Sequence, residues 1–125
     1  MAKELTPAAH LESFLDFVSQ CESRYALVCG NVSQEDKRLQ DLLHEIELAP
    51  SKADCNRAAG KLRESRRARR ENKDEAKLYE QVVRFFEDQA NRRTLNQMKQ
   101  LLGRQRREEE YLFGEREYKP RAGRA

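Results

Sequence analysis

The chain has no tryptophan, and its 125 residues include only five glycines and three prolines. Turn-forming residues are therefore scarce, which predicts few and long elements. Cysteine is sparse as well: Cys21, Cys29 and Cys55 are odd in number and form no CxxC pair. That pattern predicts buried thiols in a reduced, cytoplasmic setting rather than a disulfide framework. Long hydrophobic runs are missing, the longest purely apolar one being Ala26 to Cys29. A membrane span needs roughly 20 such residues, so neither a spanning helix nor a secretory signal is expected. The two histidines, His10 and His44, lie far apart without metal-ligand spacing. No glycine-rich phosphate loop, Ser/His/Asp set or Cys/His pair can be assembled from the rest. We therefore expect a protein that is not an enzyme, with no cofactor, no metal and no catalytic residue.

What is abundant is charge. Charged residues make up 38% of the chain, equal to the hydrophobic share, and the mean hydropathy is −1.02. That is too polar for a thick core and suits long helices that bury one narrow stripe. Disorder is the alternative for such a composition, but a heptad periodicity argues against it for most of the chain. The net charge of +3 hides an asymmetry. Residues 1–50 carry four Lys/Arg and nine Asp/Glu, a net of −5, whereas residues 51–125 carry twenty-one and thirteen, a net of +8. Either the halves neutralise each other by packing, or the second half presents a basic surface to an anionic partner.

The seven-residue repeat starts after Thr6-Pro7, a suitable cap and first helical residue. One row reads Leu11, Val18, Tyr25, Val32, Leu39 and Ile46; the other reads Phe14, Cys21, Val28, Glu35 and Leu42. Only Glu35 is charged. The phase passes through Gly30-Asn31 without resetting, which predicts one helix over about 7–48, roughly 60 Å long at 1.5 Å per residue. A break at Gly30 is the other reading. Ala49-Pro50-Ser51 marks a boundary, with Pro50 disfavouring helix before it and Ser51 capping a new helix after it. This second helix, over about 51–90, has the seam Cys55, Ala58, Leu62, Ser65, Arg69, Asn72, Ala76, Tyr79, Val83, Phe86 and Ala90. Its ends are apolar and its middle is not. The phase slips between Asp88 and Thr94, and the stripe resumes at Leu95, Met98, Leu101 and Leu102. A third helix over about 92–113 is predicted, with Asn91 as its cap and Gly114 closing it.

The fold class expected is thus all-α: a long antiparallel hairpin with a third helix, in a single domain spanning 1–125. Residues 114–125 form a charged, flexible basic tail in this reading, within which Tyr118 to Arg121 could dock as an extended strip. Apolar residues beyond what one seam uses, including Phe85, Phe86, Leu112 and Phe113, predict self-association into an oligomeric bundle.

The interrupted seam falls in Lys61 to Lys73, KLRESRRARRENK, which holds seven Lys/Arg and two Glu. In an antiparallel hairpin turning near Pro50, facing residues have numbers that add to about 99. Glu35 then faces Ser65 and its neighbours, and Gly30 faces Arg69. We expect Glu35, Ser65, Arg69 and Asn72 to cluster, with Gly30 making room for Arg69. Such a cluster either fixes register, as a polar seam layer does, or lines a pocket in which Arg69 and Asn72 bind an anion. Arg63, Arg66, Arg67 and Arg70 follow i, i+3, i+4, i+7 spacing and would form the rim. Arginine suits phosphate because its planar fork binds two oxygens at once. A second basic patch comprises Arg92, Arg93, Arg104, Arg106 and Arg107. A solvated face explains such runs equally well. Nucleic acid is a weaker expectation, because Glu64 and Glu71 interrupt the run, no aromatic accompanies it, and no nucleic-acid motif is present.

At EDKRLQDLLHEIELAPSK, LRESRRARRENKD, TLNQMKQLLGRQR and EYKPR, over residues 35–121, the chain resembles a group of small all-helical proteins encoded by phages and prophages of Gram-positive bacteria. The resemblance implies a phage protein working in the host cytoplasm, in a role such as counter-defence. No residue role comes with it. Three functions are then expected: a homo-oligomer that sequesters a phosphorylated, nucleotide-like small molecule through Arg69 and its neighbours; an inhibitor or adaptor that binds a host defence protein; and a nucleic-acid-binding accessory protein.

Overall fold

The fold was obtained as a computed structural model, which describes residues 6–115. It consists of three helices: α1, Pro7–Glu47; α2, Lys52–Glu87; and α3, Gln89–Phe113. No strand occurs among the described residues. The tail expected over 114–125, with its docking strip, lies outside them from residue 116 onward. No helix among the described residues is long and apolar enough to cross a membrane.

α1 runs without a break through Gly30, which settles the choice left open by the sequence. An added Cβ at Gly30 would meet nothing within 4 Å, so the glycine makes no room for any neighbour. The expectation that it accommodates Arg69 is corrected: the site is exposed, and an alanine would fit. At the start of α1, the Ala9 N–H donates to Thr6 Oγ1 at 3.2 Å, as a cap requires. Ser51 starts α2 reciprocally: the Asp54 N–H donates to Ser51 Oγ at 3.1 Å, and the Ser51 hydroxyl donates to Asp54 Oδ2 at 2.9 Å. α2 stops at Glu87, three residues before the expected end, because Asp88 adopts extended backbone with φ −62° and ψ 131°. Asp88, not Asn91, caps α3; the Asn91 N–H donates to Asp88 Oδ2 at 3.2 Å. Gly114 closes α3 as expected, its N–H donating to Glu110 O at 2.9 Å. A Cβ there would lie 2.7 Å from that carbonyl oxygen, so close approach requires the glycine, not backbone handedness.

The described residues form two compact units, residues 6–17 with 88–115 and residues 18–87. In the second unit, α1 and α2 pack antiparallel: Arg24 meets Glu75, Asn31 meets Asn72, Glu35 meets Ser65, and Lys61 meets Glu45. Its core is the heptad seam, with Val18, Cys21, Val28 and Leu42 from α1 and Ala58, Ser65, Val83 and Phe86 from α2 all buried. Each fully buried large apolar side chain contributes about 1.5–3 kcal/mol. Phe85 and Phe86 meet edge to face, with ring centroids 5.1 Å apart. All three thiols are free, and only Cys21 is fully buried.

In the first unit, the opening turns of α1 pack antiparallel to α3. The Ala8 N–H donates to Glu109 Oε2 at 2.8 Å, and Glu12 pairs with Arg106 at 3.1 Å. Leu95 and Leu102 bury the apolar face of α3. Glu109 thus serves as a cap from another helix, in the place where anions are most favoured. Half-burial pushes its pKa up. Hydrogen bonds from Gln105, the Ala8 N–H and Thr6 outweigh that and hold it below the ordinary carboxylate value.

Candidate anion-binding groove

The polar gap in the α2 seam is filled, residue by residue, from α1. Ser65 is buried, 1% exposed, and its hydroxyl donates to Glu35 Oε2 at 2.5 Å. The other Glu35 oxygen faces Arg38 at 4.0 Å. Arg69 does not reach Glu35. Its Nε pairs instead with Asp36 Oδ1 at 2.5 Å. Asn72 donates to the Ala68 carbonyl at 2.9 Å and accepts from Asn31 Nδ2 at 3.1 Å. The single four-residue cluster expected from the heptad is therefore three separate pairings. Asp36 and Asn31, which the sequence reading missed, supply two of them. Both stand one position from a seam residue, Glu35 and Val32 respectively, where a side chain can still reach across the hairpin.

These pairings determine what is left for a ligand. Ser65 is inaccessible, and Asn72 spends one N–H on Ala68 and its amide oxygen on Asn31. Neither lines the two grooves beside the arginines. The Arg69 side chain is 36% exposed, and its hydrogen bond to Asp36 is made through Nε. The arginines expected as a rim are the open ones. Arg63, Arg66, Arg67 and Arg70 are exposed, and among the described residues none makes an ion pair. Helical spacing of three and four residues sets their Cβ atoms about 5–6 Å apart, so four guanidinium groups crowd onto adjacent turns.

Two grooves run beside this ridge. The first, about 630 Å³, lies between α1 and α2. Leu39, Leu43 and Leu62 line it, with Arg66, Arg69 and Arg70 along the α2 wall. Lys73 and Lys77 extend that wall, and the acids there are Asp36, already paired, and Asp74. The second groove, about 450 Å³, is made by α2 side chains alone: Ala59, Leu62, Arg63, Arg66, Arg67 and Arg70. It contains no acid. Leu62, Arg66 and Arg70 are common to both. On the same side of the hairpin, Lys73 and Lys77 also line a smaller groove of about 260 Å³ that holds Tyr25, Cys29 and Glu80. The Tyr25 phenol is pushed up there, first by its hydrogen bond with Cys29 and then by the charge of that thiol.

The second basic patch is not assembled in the same way. Arg93, Arg104 and Arg107 are exposed, Arg92 is half-buried and engaged, and Arg106 is spent on Glu12. Arg106 lines a groove of about 610 Å³, but Glu12, Glu109 and Glu110 line it too, so acid outnumbers base. Among the described residues, no group of three His, Cys, Asp or Glu side chains could hold a metal ion. The chain matches no protein-family model, no curated protein and no solved structure.

Proposed function

We propose that this chain is a noncatalytic binding protein that captures an anionic, phosphorylated small molecule on the arginine ridge of α2. One observation carries the reading. Among the described residues, Arg63, Arg66, Arg67 and Arg70 stand together on one helix face without a carboxylate partner, whereas Arg24, Arg57, Arg69, Arg84 and Arg106 are paired and the remaining unpaired arginines, Arg93, Arg104 and Arg107, line no comparable groove. Four like charges on adjacent turns oppose one another, and an anion among them removes that opposition. Phosphate fits the donor set, since each guanidinium offers two parallel N–H groups to two oxygens. The groove volume falls in the range of about 300–1,000 Å³ that small-molecule sites occupy, and Leu39, Leu43 and Leu62 give an apolar wall for a ring.

Given the phage resemblance, the ligand would be a nucleotide-like signal of the host, removed from use by sequestration. Self-association belongs to this proposal, since Leu27, Leu78 and Phe85 are exposed large hydrophobic side chains of the hairpin unit. Two further readings stay behind it: a host protein as partner, for which the leucines beside the ridge speak, and nucleic acid, which Glu64, Glu71 and Asp74 along the same helix disfavour.

A thermal-shift panel of nucleotides, with Arg66→Ala/Arg70→Ala as control, tests the reading. Ligand at a hundredfold its Kd stabilises the folded state by about 2.7 kcal/mol, which shows as a rise of several degrees for the native chain and none for the variant. A panel without any shift abandons the small-molecule reading in favour of a protein partner. Steeply salt-dependent binding of an arbitrary oligonucleotide would favour nucleic acid.

A further inference from the structure

The two grooves share one ridge. Arg66 and Arg70, one turn apart on α2, border both the inter-helix groove and the outer groove. Arg63 and Arg67, also one turn apart, belong to the outer groove alone. The arginines thus stand in two parallel rows of two, spaced as neighbouring positions on a helix face are, about 5–6 Å at Cβ. One row is enough to grip a single phosphate, because two guanidinium forks offer four N–H groups to its oxygens. The second row lines a groove of its own and is placed to take a second phosphate.

The walls of the inter-helix groove differ from the ridge in chemistry. Leu39 and Leu43 present apolar surface, with Leu43 46% exposed. Asp74 stands in the same groove without an ion pair among the described residues. A carboxylate at the edge of a basic groove repels phosphate but accepts hydrogen bonds from sugar hydroxyls. The site is thus bordered by an apolar wall on α1, by two cationic rows on α2 and, one turn beyond Arg70 along α2, by a hydroxyl acceptor.

On the strength of the anion-binding proposal, we propose that the ligand is a nucleoside carrying two phosphate groups at separate positions. Its ring lies on Leu39 and Leu43, one phosphate sits on the Arg66–Arg70 ridge, and the second crosses into the outer groove against Arg63 and Arg67. This assigns the two arginine rows different roles. The ridge is needed for any phosphorylated ligand, and the outer row selects for the second phosphate.

Calorimetric titration of the full chain with adenosine 5′-monophosphate, adenosine 3′,5′-bisphosphate and inorganic pyrophosphate as probes tests this. All positions to be changed are exposed on α2, where alanine favours helix, and circular dichroism of each variant checks the fold. The expected result is bisphosphate binding at least tenfold tighter than monophosphate. Arg63→Ala/Arg67→Ala erases that advantage, weakening bisphosphate at least fivefold more than monophosphate, whereas Arg66→Ala/Arg70→Ala abolishes both. Equal affinity for the two nucleotides, or equal weakening of both by Arg63→Ala/Arg67→Ala, overturns the two-row assignment and leaves anion binding intact. Pyrophosphate binding as tightly as the bisphosphate overturns the nucleoside class. Absence of binding by all three, or indifference to Arg66→Ala/Arg70→Ala, overturns the anion-binding reading itself.

Discussion

Replacing Ser65 by alanine removes the one hydrogen-bond donor that meets Glu35 Oε2 inside the seam. The carboxylate is then partly buried with only a distant Arg38 beside it. Leaving such a group unsatisfied costs about 1–3 kcal/mol, so Ser65→Ala should lower the urea midpoint, with the loss largely recovered in Ser65→Ala/Glu35→Leu. The Asp36–Arg69 pair behaves differently. Its side chains are 51% and 36% exposed, and exposed pairs couple by less than about 1 kcal/mol. A double-mutant cycle on each pair checks the contrast by denaturation. Glu109 gives a prediction in pH. Its folded pKa is held below the unfolded one, so the stability it contributes is present above the unfolded carboxylate pKa and is lost as pH falls through the folded value. Hydrogen exchange at the Ala8 amide should accelerate, relative to neighbouring amides, as the solution is acidified below about pH 4.5. Glu109→Ala should show weak Ala8 protection at every pH.

At the scale of the helix, Asp88 is the sole residue between α2 and α3 and the cap of the latter. Asp88→Ala should cost about 1 kcal/mol, read as a lower unfolding midpoint and as faster amide exchange at Asn91 than in the native chain. This boundary also shows where the sequence was legible. The long elements were, because the heptad is carried by apolar residues whose burial dominates the energetics: Val18, Cys21, Val28 and Leu42 are all core. The stop at Pro50 was legible for the same reason that proline cannot be ignored by a helix. The α2–α3 boundary was not, since a single aspartate turns the chain without glycine or proline and Asn91, three residues later, looks equally like a cap. The candidate site was half legible. Spacing placed Arg63, Arg66, Arg67 and Arg70 on one face. The fate of Arg69 and Asn72 depended on Asp36 and Asn31, which are outside the repeat and whose reach across the seam only coordinates reveal.

For the whole molecule, the exposed apolar side chains and the uneven charge bear on behaviour in solution. Self-association should bring the scattering mass to a multiple of the 14.7 kDa chain; a mass equal to the single chain would remove oligomerisation from the proposed function. The ridge of unpaired arginines has a consequence for handling the protein. Salt weakens exposed ion pairs such as Arg24–Glu75 by screening, which predicts a lower melting temperature as chloride rises. Inorganic phosphate should act with the opposite sign, because an ion that settles between like charges stabilises the fold that gathers them. At matched ionic strength, phosphate should raise the melting temperature above its value in chloride, and Arg66→Ala/Arg70→Ala should melt alike in both. If the ridge binds anions as proposed, a phosphate buffer competes in any binding assay of this protein, and preparations kept in it would understate the affinity for the proposed ligand.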